Sequence, residues 1–284
     1  MRYLKLPAPG RPVIIGVIAV LLVFAWQALT VHYNYSGNWT ALFCTGGELR
    51  VPQSLAWEGV YVFAGSSGYD GQFYHYQAHD PFLRRGMAEF VDLPRTRFRR
   101  VLVPGAAYLL AGGQDRFVDA AMFGLLWLSV FLGTYWTSRL LATLGWNAAW
   151  GLGFLLVPAV FISADRMVVD SALAALTAGF VLYARGGPPW KLFLVLACAA
   201  LTRETGALLS AGYCLHLLLQ RQWKRVPLFA ATGLPLLAWQ WYVEQALAGA
   251  GTGDSGIAYN GPPPSLHLAL FDFRSYPFPG ILDW

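Results

Sequence analysis

Charge is what this chain has least of. Asp, Glu, Lys and Arg make up 12% of its 284 residues, about half the share of an ordinary soluble domain. With 56% hydrophobic residues beside so little charge, a soluble domain is argued against. Cysteine is scarce too. Cys44, Cys198 and Cys214 show no metal-ligand spacing, and two of them lie inside apolar runs, so a disulfide framework is not expected. No repeat or low-complexity linker interrupts the chain. The net charge of +5 could suggest nucleic acid, but the basic residues come in short clusters between apolar runs. That is the charge distribution of a polytopic membrane protein, and it discounts nucleic acid as a partner.

What is present is a series of long apolar runs. "PVIIGVIAVLLVFAWQALTV" (12–31) holds about 20 residues without a charge, enough to cross a bilayer core of about 30 Å. It follows Arg2, Lys5 and Arg11 and shows no small-residue cleavage site. It therefore reads as an uncleaved helix with a cytoplasmic N-terminus. Further runs lie near 117–138, 147–163, 170–184, 190–201, 205–219 and 226–247. The segment 101–112, "VLVPGAAYLLAG", is short and carries a proline, as a surface or re-entrant helix would.

This count sorts the basic residues. Arg139, Arg185, Lys191 and "QRQWKR" (220–225) all fall on the side of the N-terminus, as the positive-inside rule requires. The exception, "RRGMAEFVDLPRTRFRR" (84–100), belongs to a long loop, and long loops escape that rule. The stretch 192–219 would run roughly 42 Å as one helix. Folded as a hairpin of two short spans, it puts both basic ends in the cytoplasm and "TRETG" (202–206) at a shallow tip on the other side. The expected fold is an all-α polytopic membrane protein of about seven transmembrane helices, one domain over 1–284. It comprises a first span at 12–31, a long extracytoplasmic loop at 32–116 carrying amphipathic surface helices, six spans over 117–247 and an extracytoplasmic tail at 248–284.

The polar candidates then converge on one membrane face. "GYDGQFYHYQAHDPF" (68–82) opens with Asp70 between two glycines. It reads either as a turn entering an amphipathic surface helix with aromatic anchors or as a functional acid. Asp80 before Pro81 reads as turn chemistry. His75 and His79 are spaced to face the same way on a helix, as two metal ligands would, but no third ligand is spaced to join them. Asp165 and Arg166 form a local pair or a site, Asp170 an N-cap or a site, and Arg203 and Glu204 neutralise each other or face a cavity. "RTRFRR" (95–100) suits anionic headgroups or, better, one specific phosphate.

The order of these features resembles the GT-C superfamily of integral-membrane glycosyltransferases, which includes protein O-mannosyltransferases and lipid A aminoarabinose transferase. Its first seven spans would cover nearly the whole chain. The resemblance implies that Asp70 is the first-loop catalytic aspartate, the base toward an acceptor hydroxyl. Arg99 and Arg100 stand where members place a basic residue near the donor phosphate. Asp170 matches the Asp opening the fourth span. Arg203 in "LTRETG" falls where relatives often have Lys in a Thr-Lys-Gly turn. Asp165 and Glu204 would support the site, and Tyr69, Phe73 and Tyr74 would pack against a sugar or acceptor. The donor implied is a polyprenyl-phosphate sugar, the acceptor a hydroxyl on a glycan, lipid or protein, and the outcome inversion at the anomeric carbon. No cofactor is specified. The resemblance leaves room for a divalent cation without indicating one, because "YDGQFY" lacks the acid that commonly follows the family aspartate. The chain also ends at "FPGILDW" without the further helices of better-known members, so it reads as a compact member or an incomplete chain. The rival readings are a transporter or flippase of lipid-linked saccharides, against which no inverted repeat is visible, and a non-catalytic membrane subunit.

Overall fold

An apolar run in lipid must satisfy its own backbone hydrogen bonds, and a helix does so within the segment. In the computed structural model, which describes residues 10–249, each of the seven runs is helical. The helices are α1 (Gly10–Tyr35), α2 (Asp70–His79), α3 (Pro94–Arg97), α4 (Leu102–Leu110), α5 (Val118–Thr143), α6 (Pro158–Arg166), α7 (Asp170–Gly186), α8 (Pro189–Thr202), α9 (Ala207–Leu219), α10 (Val226–Ala230) and α11 (Leu234–Gly249). Tighter 3-10 turns include Trp39–Phe43, Gln53–Glu58 and Ala148–Leu156. The sheet content among the described residues is one parallel pair of two-residue strands, β1 (Thr45–Gly46) and β2 (Val62–Phe63), with Thr45 opposite Val62. Most of the tail expected at 248–284 lies outside the described residues.

Two helical segments, Gly10–Tyr35 and Asp115–Thr143, are long and apolar enough to cross a membrane. Ala148–Leu156 and Pro158–Arg166 make a third if counted as one span bent by 62°. Pro158 causes the bend: its ring holds Val157 in an extended conformation (φ −67°, ψ 122°) and removes a backbone donor. α7, α8 and α9 have 17, 14 and 13 residues, or roughly 20–25 Å each at 1.5 Å per residue. Length alone thus supports a helical membrane protein with two or three full spans. The surface agrees: α1 exposes Ile14, Ile18, Leu21 and Leu22, a face suited to lipid.

The helix ends fall into two groups. One gathers around α2: Tyr35 at the end of α1, Val118 at the head of α5 and Tyr74 of α2 share a core cluster, and Val243 and Leu247 of α11 pack with Phe73 and Tyr76. The other ends carry Arg139, Arg185, Lys191, Lys224 and Arg225, with Trp146, Trp150, Trp190 and Trp223 exposed among them. Exposed tryptophans beside basic residues suit a membrane–water boundary.

α2 corrects one expectation. A half-exposed surface helix with aromatic anchors is excluded, because every residue from Gly71 to His79 is buried. The cause is what surrounds it. The 39–43 turn, α4, the head of α5 and the far end of α11 pack against different faces, so no side is left for solvent or lipid. α4 does behave as expected: it is a nine-residue helix that leaves Leu109 and Leu110 exposed.

Candidate functional site

The head of α2 is held by the short strand pair. Gly68 has a left-handed φ of +76°, and Tyr69 N–H donates to the Cys44 carbonyl at 3.0 Å. Gln72 closes the corner, accepting from Gly46 N–H at 3.1 Å and donating to the Ser67 carbonyl at 2.9 Å. Gly71 sits between two backbones, where an added Cβ would strike the Arg166 and Phe43 carbonyl oxygens. Asp70 is the first residue of the helix, where the helix dipole favours a carboxylate.

Arg97 holds that carboxylate. Its Nη1 lies 2.6 Å from Asp70 Oδ2 and its Nη2 donates to Oδ1 at 2.8 Å. Its Nε and Nη2 also donate to Asp92 at 2.9 Å each. The Phe73 ring lies under the guanidinium, 4.9 Å away. Burial alone would lower the pKa of Arg97, but the Asp92 and Asp70 carboxylates outweigh it, and the result is raised. Asp70 and Asp92 open onto a cavity of about 240 Å³ with Tyr69, Phe73 and Leu49 on its walls. A carboxylate oriented by a guanidinium beside aromatic walls can accept a proton from a hydroxyl seated against those rings.

The other expected residues lie nearby in different pairings. Tyr74 is buried and accepts from Arg100 Nη1 at 3.0 Å. Burial pushes its phenol pKa up despite Arg100. It is not among the cavity-lining residues, so its place as a sugar contact is corrected to a support for Arg100. Arg100 also meets Glu204 at 3.3 Å. Arg203 pairs closely with Asp170. Arg203 and Glu204 therefore do not neutralise each other; each takes a partner from another element. Asp170 opens α7 but caps nothing with its side chain, because Arg203 takes its carboxylate. Asp165 and Arg166 do form a local pair, at 3.6 Å, with Arg166 over the Tyr69 ring at 4.6 Å. Arg99 is placed elsewhere: it pairs with Glu244 of α11 at 2.8 Å, beside Arg95 at 3.1 Å. Asp80 is turn chemistry as expected, accepting from Arg84 and Arg85 N–H at 2.7 Å and Met87 N–H at 3.4 Å.

Sequence reasoning missed Arg97. "RTRFRR" offers four arginines, and only the turn of α3 decides that Arg97 is the buried one. It also missed the partners of the histidines. His75 Nε2 lies 2.8 Å from Asp119 and 3.3 Å from Glu58, and His79 Nε2 lies 3.2 Å from Glu58. Burial alone would lower His75; Asp119 and Glu58 overcome it and lift its pKa to about 9. Such acid partners, distant in sequence, had no local spacing to betray them.

Comparison with protein-family models, curated proteins and solved structures finds no match to this chain.

Proposed function

We propose that the protein is an integral-membrane glycosyltransferase of the GT-C type, acting on the extracytoplasmic side of a bacterial inner membrane. In this reading the chain crosses the bilayer seven times with its N-terminus in the cytoplasm, and the shorter helices α7, α8 and α9 are three of the spans. It moves a sugar, with inversion, from a polyprenyl-phosphate donor to an acceptor hydroxyl on a glycan, lipid or protein. The observation that carries the reading is Asp70: a carboxylate gripped by Arg97 on the rim of an aromatic-walled cavity. Asp70 takes the acceptor proton as the acceptor oxygen attacks the anomeric carbon. The bond to the donor phosphate breaks, and the phosphate leaves carrying the charge. Arg100 and Arg203, each partly exposed and each already paired with one acid, exchange or share that acid with the phosphate. Tyr69 and Phe73 stack against the sugar.

The test uses the purified protein in detergent with a polyprenyl-phosphate donor labelled in the sugar. Release or transfer of the sugar that disappears in Asp70→Asn supports the reading. Movement of intact donor across liposomes without release would replace it with a transporter.

A further inference from the structure

Two turns beyond Asp70, α2 carries a second constellation that sugar transfer does not use. His75 and His79 are fully buried, and their Nε2 atoms face each other at 3.3 Å. Glu58, at the end of the 53–58 turn, straddles them, Oε2 at 3.3 Å from His75 and Oε1 at 3.2 Å from His79. Asp119, in the first turn of α5, completes the group, with Oδ1 at 2.8 Å from His75 and 3.9 Å from His79. One donor atom from each of the four residues lies within 4.8 Å of the others. Ligands held at 2.0–2.1 Å around a tetrahedral ion sit about 3.3 Å apart; the two imidazole nitrogens are that far apart, and each lies 3.2–3.3 Å from one of the two Glu58 oxygens.

Hydrogen bonding leaves part of the group without a partner. His79 Nδ1 lies 3.0 Å from the Asp115 carboxylate; in the tautomer that donates to Asp115, the Nε2 lone pair faces Glu58 and His75. A lone pair and a carboxylate oxygen that face each other at this distance can share a cation bound between them. Both Glu58 oxygens are buried and accept no well-formed hydrogen bond, and His75 Nδ1 has none either. Charge points the same way. Glu58, Asp115 and Asp119 bring three carboxylates against one guanidinium, Arg85, which grips Asp115 at 2.6 Å. In the neutral form that a metal-bound imidazole takes, the two histidines leave two negative charges for a dication to balance. The chain Arg85–Asp115–His79 is also the arrangement by which an outer carboxylate orients a ligating imidazole. Phe43 fixes the other ring, stacked on His75 at 4.1 Å and 6°.

We propose that Glu58, His75, His79 and Asp119 bind a first-row divalent transition metal, zinc foremost, as a closed structural site. Two imidazoles with two carboxylates suit that class of ion. Four protein donors, with the two histidines and Glu58 almost wholly buried, leave no open position for a substrate or a reactive water. The ion fastens α2 to the head of α5 and to the 53–58 turn, and so sets where Asp70 stands. The site is independent of sugar transfer: its ligands lie outside the Asp70 cavity, and its test reads metal, not turnover.

The experiment measures metal content of the detergent-purified full chain, with any affinity tag removed, after exposure to excess Zn²⁺ and desalting. About one equivalent per chain is expected, as for a preformed site of four ligands. Glu58→Gln and Asp119→Asn, near-isosteric changes that preserve packing, should each lose most of it, as should His75→Ala and His79→Ala. Glu89→Gln, on the exposed surface, should keep it. Co²⁺ loaded in place of Zn²⁺ should give the visible absorption of tetrahedral coordination in the parent and not in Glu58→Gln. A parent that holds almost no metal overturns the proposal. So does a full equivalent that persists in all four ligand variants, because that ion would then be bound elsewhere.

Discussion

Arg97 reaches back along the chain to hold Asp70 with two nitrogens on two oxygens, at 2.6 and 2.8 Å. The fork fixes the direction of the carboxylate, and Asp92 on the other edge of the guanidinium fixes the fork.

Asp70→Asn should fold and express like the parent but lower sugar transfer by about a hundredfold or more, the scale of losing a general base. Asp80→Asn should do the reverse. Asp80 is buried and serves three backbone donors, so its loss should lower the melting temperature by an amount equivalent to about 1–3 kcal/mol. Melting curves and turnover on the same two preparations check both; an Asp70→Asn protein of parental activity would make this aspartate structural.

Arg97→Ala removes charge-assisted bonds to two carboxylates in a partly dehydrated position. A loss of about 1.5–3 kcal/mol is expected from the bonds alone, with turnover lost beside it. Arg97→Lys keeps the charge but not the planar fork, so stability should return further than activity does. Full recovery of both by lysine would show that only charge matters at this position.

Donor binding separates the arginines. Arg100→Ala and Arg203→Ala should each weaken binding of a polyprenyl-phosphate sugar by roughly tenfold or more, as loss of one charge-assisted contact requires. Arg99→Ala, whose parent side chain is engaged with Glu244, should change it little. Equal affinity in all three variants and the parent would remove the phosphate contact from the mechanism.

Membrane orientation is open to direct labelling. In a background with Cys44, Cys198 and Cys214 replaced, Ala64→Cys and Lys224→Cys place thiols at exposed positions on opposite groups of helix ends. An impermeant thiol reagent on intact cells should modify the first and not the second. Labelling of the second alone would turn the protein over and put Asp70 in the cytoplasm.

Gly71→Ala should be poorly tolerated, because its Cβ meets carbonyl oxygens of two separate segments and neither can yield as a flexible side chain would. About 1–3 kcal/mol of destabilisation is expected for such overpacking, read from the melting temperature. A parental melting curve would show that α2 and α6 can separate.

The apolar runs by themselves determined the helices, since hydrocarbon leaves a backbone no partner but itself. Pattern alone also placed Asp80 in a turn and the 102–110 helix on its own, because the residues that decide these are neighbours in sequence. The spacing of His75 and His79 was equally legible, being a property of one helix. What tertiary structure alone decided were the partners. Asp119 meets His75 from 44 positions away, Arg97 rather than Arg99 turns toward Asp70, and Glu204 passes over the adjacent Arg203 to meet Arg100. α2 itself is the clearest case. Its polar composition predicts an exposed face, yet it is buried on all sides, because its histidines meet acids and Gln72 meets backbone groups that only the packed chain brings to them. Local sequence fixes which groups need partners; the fold determines which partners arrive, since ion pairing depends on distance in space and not on position along the chain.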